Sequence, residues 1–411
     1  MSGALNQITS CEVCGSNDLR PVLDLGKHPM CDDLVAIGDN RICKEYPIDI
    51  LFCDRCITAH QHFQIPKHEL FPPTYHYRSR HTADVINGMR QLVEACGDML
   101  GNLDGKKVLD IGCNDGSLLS IFGERGAVTF GIEPTGAASD AAERGHTVIN
   151  DFLSEDVARR FVSDFGAPDI ITFTNVFAHI EDLKGVIRSL KVLAAPNTVI
   201  VIENHYLGAV LKKDQFDTFY HEHPRTYSFT SFAFIADALG MVVAKVEFPQ
   251  RYGGNIRVFL KNAESDAKHD RWDELHAIEQ AFGAGLETLS SRIATWRKKK
   301  LAEITNEVQR HGTLSAKAFP GRAAIPIRML GLNETHIEAV YEKPASGKIG
   351  HYVPGTRIPI KSDDDFVAGE GPVLNLAWHI SREIRSYMLE RGYSGRIIDI
   401  IAEDDFRETD R

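Results

Sequence analysis

Four consecutive residues, Tyr220, His221, Glu222 and His223, bring a phenol, two imidazoles and a carboxylate into one short run. Side chains of this kind move protons or bind metal, and burying them as inert core would cost each unpaired group its hydration. In an extended segment, residues two apart share a face. Tyr220 and Glu222 then point one way and His221 and His223 the other, unless the chain bends. His221-Glu-His223 could coordinate zinc, but it lacks the four-residue spacing that sets two histidines on one helical face. Acid–base work is the better fit.

Upstream, Val108-Leu-Asp-Ile-Gly-Cys-Asn-Asp-Gly116 places an apolar strand before a glycine turn, with the helical run Leu118–Phe122 after it. Glycine permits the sharp strand-to-helix turn and lets backbone approach a ligand closely. The spacing from Gly112 to Gly116 is not the Gly-x-Gly-x-x-Gly used for pyrophosphate. The next strand ends on Glu133, whose carboxylate can accept hydrogen bonds from both hydroxyls of a ribose, and Asp110 can face the other end of such a cofactor. On the turn alone, a dinucleotide dehydrogenase and a purely structural loop remain open.

The elements that position these groups are legible as alternating patterns. Strand-like runs at Lys107–Ile111, Val128–Glu133, Asp169–Thr174 and Thr198–Glu203 alternate with helical segments, which implies a parallel, doubly wound α/β sheet. Val242–Phe248 and Ile256–Lys261 form a later strand pair. Val85, Met89, Leu92, Val93, Cys96 and Met99 recur at helical spacing ahead of the sheet. Residues from 263 to about 311 favour helix, with a break expected at Phe282-Gly-Ala-Gly285. A second α/β unit follows, with strands at Ile337–Tyr341, Val373–Ala377 and Ile397–Ile401. The expected domains are 1–80, 81–262 and 263–411.

The chain of 411 residues carries a net charge of -11, which argues against a nucleic-acid partner. Arg297-Lys-Lys-Lys300 reads as a solvated helix face. No apolar run approaches the ~20 residues that span a bilayer, and the N-terminus lacks a secretory signal. A cytoplasmic protein is expected, with its eight cysteines as thiols or metal ligands. Cys11/Cys14 and Cys53/Cys56 form two Cys-x-x-Cys knuckles, which are expected to close a tetrahedral, structural zinc site together, with a redox pair or free thiols as the alternatives. Cys31 and Cys43, lying between the knuckles, read as packed thiols.

The glycine turn with Glu133 resembles the class I S-adenosylmethionine methyltransferases. That resemblance puts Asp110, Gly112, Asn114, Gly116 and Glu133 at the cofactor, and Asp151 and Phe152 beside its adenine. With the double knuckle and Tyr220-His-Glu-His223, the whole chain resembles the deoxysugar C-methyltransferases that act on nucleotide-linked 4-keto-6-deoxyhexoses. Further segments carry this likeness: Asn175-Val-Phe-Ala-His179, Tyr252-Gly-Gly-Asn-Ile-Arg-Val258, Lys348-Ile-Gly-His-Tyr-Val-Pro-Gly-Thr-Arg-Ile-Pro-Ile360 and Leu376-Ala-Trp378. It implies a class I methyltransferase Rossmann-like core, an N-terminal zinc-binding domain and a C-terminal second Rossmann-like domain. It also implies acid–base roles for Tyr220, Glu222 and His223 with His179 nearby, and sugar contacts from Tyr75, Tyr77, His221 and Asn175. His223 is the preferred base, since imidazole titrates near neutral pH. The implied partner is a nucleotide-linked keto-deoxysugar methylated at carbon 3, with no nucleic acid or membrane and a monomer or weak homodimer.

One stretch departs from the family pattern. Where the C-terminal unit should open with Gly-Ala-x-Ala-Lys-Gly, this chain has Ala318-Phe-Pro-Gly-Arg322-Ala-Ala324. Alanine resists positive φ, so nucleotide handling by that turn is in question and Arg322 stands where the lysine would be. Methyl transfer to oxygen or nitrogen and a zinc-containing binding protein are the alternative functions.

Overall fold

A computed structural model describes residues 5–72, 78–81, 83–262, 270–367, 369 and 371–407. Tyr75 and Tyr77 lie outside the described residues. The chain divides into two compact units that interleave in sequence. The first comprises Met1–Arg20, Leu51–Ala209 and Glu222–Gly283; the second comprises Pro21–Ile50, Val210–His221 and Ala284–Arg411.

The first unit contains β1 (Thr58–Gln61), β2 (Lys107–Ile111), β3 (Val128–Ile132), β4 (Thr147–Ile149), β5 (Ile170–Thr174), β6 (Val199–His205), β7 (Arg225–Thr226), β8 (Met241–Glu247) and β9 (Asn255–Asn262). Seven of these form one sheet in the order β8-β9-β6-β5-β2-β3-β4. β4, β3, β2, β5 and β6 run parallel, and β9 is antiparallel to both β6 and β8. Because central parallel strands are covered on both faces, they read as unbroken apolar runs. Val199, Ile200, Val201 and Ile202 are all buried, each stabilising the fold by about 1.5–3 kcal/mol.

The two faces pack separately. Leu109, Ile111, Phe173, Ile200 and Ile202 meet the helices Glu155–Phe165, Leu183–Leu193 and Phe229–Leu239. Val108, Ile170, Val199 and Val201 meet Val85, Met89, Leu92, Val93 and Cys96 of α1 (Ala83–Leu100). Side-chain caps fix where these helices start: Ser154 Oγ accepts from Val157 N, Asp182 Oδ1 from Gly185 N, and Ser228 Oγ from Ser231 N. The strand order reverses between β2 and β5, so the crevice at their carboxyl ends is where an open α/β sheet binds ligands.

The second unit has a five-stranded parallel sheet, built from β10 (Leu314–Lys317), β11 (Ile337–Glu342), β12 (Ile360–Ser362), β13 (Val373–Asn375) and β14 (Ile397–Asp399). Its order is β12-β11-β10-β13-β14. Trp296, on α2 (Phe282–His311), is fully buried beside Phe216 and Phe406, and its Nε1 donates to the Ile400 carbonyl at 2.9 Å.

Two expectations need correction. The helix does not break at Phe282-Gly-Ala-Gly285; it breaks at Gln280-Ala281, and both glycines are helical. They are there for packing, since a Cβ on Gly283 would lie 2.1 Å from Arg20 Nη2 and one on Gly285 3.2 Å from Leu211. Nor is the basic run wholly solvated. Arg297 and Lys298 are exposed, but Lys300 is buried and paired with Glu303 at 2.7 Å and Asp405 at 3.1 Å. No described helix is long and apolar enough to cross a membrane.

Candidate active site and metal centre

The four knuckle sulfurs lie within 4.8 Å of one another, with Cys11–Cys56 at 3.4 Å and Cys14–Cys53 at 3.5 Å. Tetrahedral zinc–thiolate bonds of ~2.3 Å require sulfur separations of about 3.8 Å, so this donor set fits zinc. Each knuckle closes by the same backbone device. Gly15 N donates to the Cys11 carbonyl and Ile57 N to the Cys53 carbonyl, both at 2.9 Å. Gly15 (φ 73°) and Ile57 (φ 56°) are both left-handed. All four ligand positions are taken by protein, which leaves no open site for chemistry. Cys31 and Cys43 are buried, and the Cys43 thiol donates to the Asp33 carbonyl.

At the carboxyl end of β2, Gly112 (φ 70°), Asn114 (φ 50°) and Gly116 (φ 74°) turn the chain. Gly112 is required twice over, because a Cβ there would lie 2.6 Å from Val176 in the β5 crossover. Glu133 is the anchor of the turn. Its Oε2 accepts from Asn114 N at 3.0 Å, and its Oε1 accepts from Thr135 N and Oγ1 at 2.8 and 2.6 Å. A carboxylate offers about four lone-pair sites, so acceptor capacity remains for ribose hydroxyls.

Asp110 is buried, with Thr172 Oγ1 donating to it at 2.6 Å. Burial lifts its carboxyl to about 7, the Glu133 charge adds to this, and the Thr172 hydrogen bond opposes it. Ser79 N and Oγ both donate to Asn114 Oδ1, and Arg80 N donates to Asp115 Oδ2. The segment just after Tyr77 is therefore fastened to the turn after β2. Asp151 is exposed, and Phe152 is half-buried with the Lys67 ammonium 4.4 Å from its ring centre.

The Tyr220–His223 run does not extend; it turns at His221 and Glu222. Half-buried Tyr220 and buried His221 belong to the second unit, where His221 Nε2 donates to the Tyr46 carbonyl at 3.1 Å. Burial lowers His221 to about 4. Glu222 and His223 belong to the first unit, and both are buried. The His223 ring packs against His179 at 5.0 Å and against His205 at 5.4 Å between centroids. Phe71 stacks on His179 at 5.3 Å. Burial lowers His179 to about 4, so it is a neutral imidazole at working pH.

Asn175 is left-handed (φ 54°), and its Oδ1 accepts from Asn255 Nδ2 at 3.1 Å. Asn255 also donates to Glu203, which is buried between Arg251 at 3.1 Å and Arg257 at 2.7 Å. The sequence reading missed His205, Phe71 and this Glu203 cluster. His205 ends β6, and the rule that ligands meet the carboxyl ends of parallel strands would have found it.

Three family models match successive stretches: "Putative zinc binding domain" over 11–71, "Methyltransferase domain" over 80–246 and "C-methyltransferase C-terminal domain" over 250–399. The C-methyltransferase NovU of Streptomyces niveus is 29% identical over 98% of both chains. In this order the matched stretches are those of a zinc-binding domain, a methyltransferase core and a C-methyltransferase C-terminal domain. These matches make it a methyltransferase enzyme with S-adenosylmethionine and zinc as cofactors, in agreement with the fit of the β2 turn and the four thiols. The ubiquinone biosynthesis O-methyltransferase of Escherichia coli is 34% identical over 23% of this chain and 41% of its own length. The magnesium protoporphyrin IX methyltransferase of Synechocystis PCC 6803 with bound SAH is 19% identical, covers 44% of this chain and 86% of its own, and has a TM-score of 0.35.

Proposed function

We propose that the protein methylates a carbon beside the ketone of a nucleotide-linked 4-keto-6-deoxy sugar, at carbon 3, through an enolate. The observation that carries this reading is the cluster of His179, His205 and His223 with buried Glu222 in the first unit. Methyl transfer to oxygen needs far less activation, whereas a carbon acid needs a base within hydrogen-bond reach of its proton. Three neighbouring imidazoles support carbon.

In this mechanism His223 takes the proton from carbon 3, and the electron pair moves into the ketone to give the enolate. Glu222 orients the imidazole and stabilises its charged form. Tyr220 donates to the developing oxyanion. His179, kept neutral by burial, adds no competing positive charge beside His223. Asn175, His221, Tyr75 and Tyr77 are the proposed sugar contacts. Asp110 and Glu133 hold the cofactor, with Gly112, Asn114 and Gly116 shaping its turn and Asp151 and Phe152 at its adenine. S-adenosylmethionine, when bound, supplies an electrophilic methyl on a sulfonium. That methyl would pass to the enolate carbon that His223 generates, with S-adenosylhomocysteine as the leaving group.

The zinc-binding, methyltransferase and C-terminal stretches are taken as 1–80, 81–262 and 263–411. Eight cysteines that are free thiols or zinc ligands support a reducing, cytoplasmic setting. A monomer or weak homodimer is the proposed state. The test is product analysis after incubation with a 4-keto-6-deoxy sugar nucleotide. A methyl on a quaternary or tertiary ring carbon is expected, and a methyl on oxygen or nitrogen would overturn the reading.

A further inference from the structure

The zinc centre has no open position, yet a chain of buried and part-buried polar groups leads from it to the histidine cluster within the first unit. Its hub is Arg225, which is fully buried. Arg225 Nε donates to Tyr227 Oη at 2.9 Å, and Nη1 donates both to the Glu12 carboxylate and, at 3.5 Å, to the Glu181 carbonyl. Glu181 and Arg225 each lie two residues past a histidine, and those histidines, His179 and His223, are the pair whose rings sit 5.0 Å apart. One guanidinium thus ties down the backbone just beyond both.

On its other side the chain reaches the metal ligands. Glu12 follows Cys11 in sequence, accepts from Gln64 Nε2 at 2.9 Å and faces His60 Nδ1 at 3.7 Å. His60 Nε2 lies 3.3 Å from the Cys11 sulfur. The backbone repeats the connection: β7 pairs with β1, setting Arg225 opposite His60 and Thr226 opposite Ala59, and Gln61 N donates to the Pro224 carbonyl at 2.8 Å. A guanidinium fork is planar and rigid, so it passes on the position of one partner to the next better than a point charge does.

We propose that Arg225 is a positioning residue for His223, set in place by the zinc centre through Cys11, His60 and Glu12. The inference rests on His223 being the base. The knuckles would then serve catalysis without touching substrate: metal-bound Cys11 fixes His60 and Glu12, Glu12 fixes Arg225, and Arg225 fixes the two histidine-bearing segments.

The test uses Glu12→Gln and Arg225→Lys in the zinc-loaded, full-length protein. Each is expected to lower kcat by about 10- to 100-fold, the scale of a small misplacement of a catalytic group. KM for S-adenosylmethionine should stay within about twofold, because uniform binding of the cofactor is untouched. The acid limb of the kcat profile should move, and zinc release to a chelator should quicken by about tenfold, as for other residues that orient metal ligands. A folded variant with the wild-type profile, or a loss of kcat that only follows the folded fraction, would overturn the proposal. Hydrogen exchange on the wild-type protein gives a reading without variants or turnover. Zinc chelation is expected to raise exchange at residues 179–182 and 222–228 as well as at the knuckles. A rise confined to 11–16 and 53–61 would contradict the coupling, whether or not His223 proves to be the base.

Discussion

Each unit carries the same backbone device at the carboxyl end of its central parallel strand, put to different use. In the first, β2 ends in a turn with left-handed Gly112, Asn114 and Gly116, and Asn114 N donates to Glu133, the acid that follows β3. In the second, β10 ends at left-handed Ala318 (φ 60°), and Phe319 N donates at 2.6 Å to Glu342, the acid that ends β11. The difference lies in the side chains. Arg322 donates twice to buried Asp217, at 2.8 and 2.7 Å, and Trp378 Nε1 donates to the same carboxylate. Lys317 is buried against Asp363 and the Tyr341 carbonyl. The cations of the second turn are occupied by the protein's own groups, while the first turn keeps acceptors available. A shared strand–turn–acid geometry therefore does not by itself make a nucleotide site; what the polar groups are already bonded to decides it.

The largest effect should come from breaking the lock. Arg322→Ala leaves the buried Asp217 charge without its cation, with only Trp378 still donating to it, and should cost about 3–5 kcal/mol of stability in denaturant unfolding, with no change in cofactor affinity for the folded protein. Next is the open turn. Gly112→Ala brings a Cβ to 2.6 Å from Val176 at φ 70°, and S-adenosylhomocysteine affinity by calorimetry should fall by about 100-fold or more, the loss expected when a close backbone approach is blocked.

A smaller effect concerns pH. In the role proposed for it, the Asp110 carboxyl, raised to about 7, would meet a cationic cofactor in its ionised form, so binding would lower its pKa and release a proton. S-adenosylmethionine affinity should rise as pH increases toward about 7 and level off above it. Asp110→Asn should flatten that dependence. The smallest effect is expected at Ala318→Gly. Relief of left-handed strain, worth roughly 1–2 kcal/mol, is offset by greater freedom of the unfolded chain, so thermal unfolding should move little and activity should persist.

The burial of His179 and His221 adds a linkage that the run alone does not reveal. Both have folded pKa values lowered to about 4, so each native site stays neutral while the unfolded imidazole takes up a proton. Their contribution is intact above the unfolded pKa near 6.5 and is lost as pH falls toward about 4. Urea midpoints should drop over that window, and His179→Gln should blunt the fall.

Much of the fold was legible because the central strands are buried on both faces. Lys107–Ile111 is the strand at the residues expected, and the runs at 128, 170 and 199 differ by a residue or two at their ends. The zinc knuckles were legible from spacing alone, since four soft ligands in two close pairs have few other uses. What escaped notice was polar or short. β7 is two residues long and β1 reads Thr-Ala-His-Gln, so neither carries an apolar signature. The glycines at 283 and 285 looked like breakers because only the tertiary neighbours, Arg20 and Leu211, explain them. His205 was hidden in an apolar strand, and Lys300 was counted with a solvated cluster although Glu303 and Asp405 bury it. The interleaving of the two units depends on contacts between residues far apart in sequence, which no local pattern records.

The central claim is that His223 removes a proton from the carbon beside a ketone. It is tested most directly by incubating enzyme, S-adenosylhomocysteine and a 4-keto-6-deoxy sugar nucleotide in deuterated water and following the carbon-3 proton by NMR. Wild-type protein should exchange that proton for deuterium without turnover, and His223→Ala should slow the exchange by about 100-fold or more, the upper range of a general base, while still binding S-adenosylhomocysteine. Exchange at the wild-type rate in His223→Ala, or none in either protein, would contradict the account.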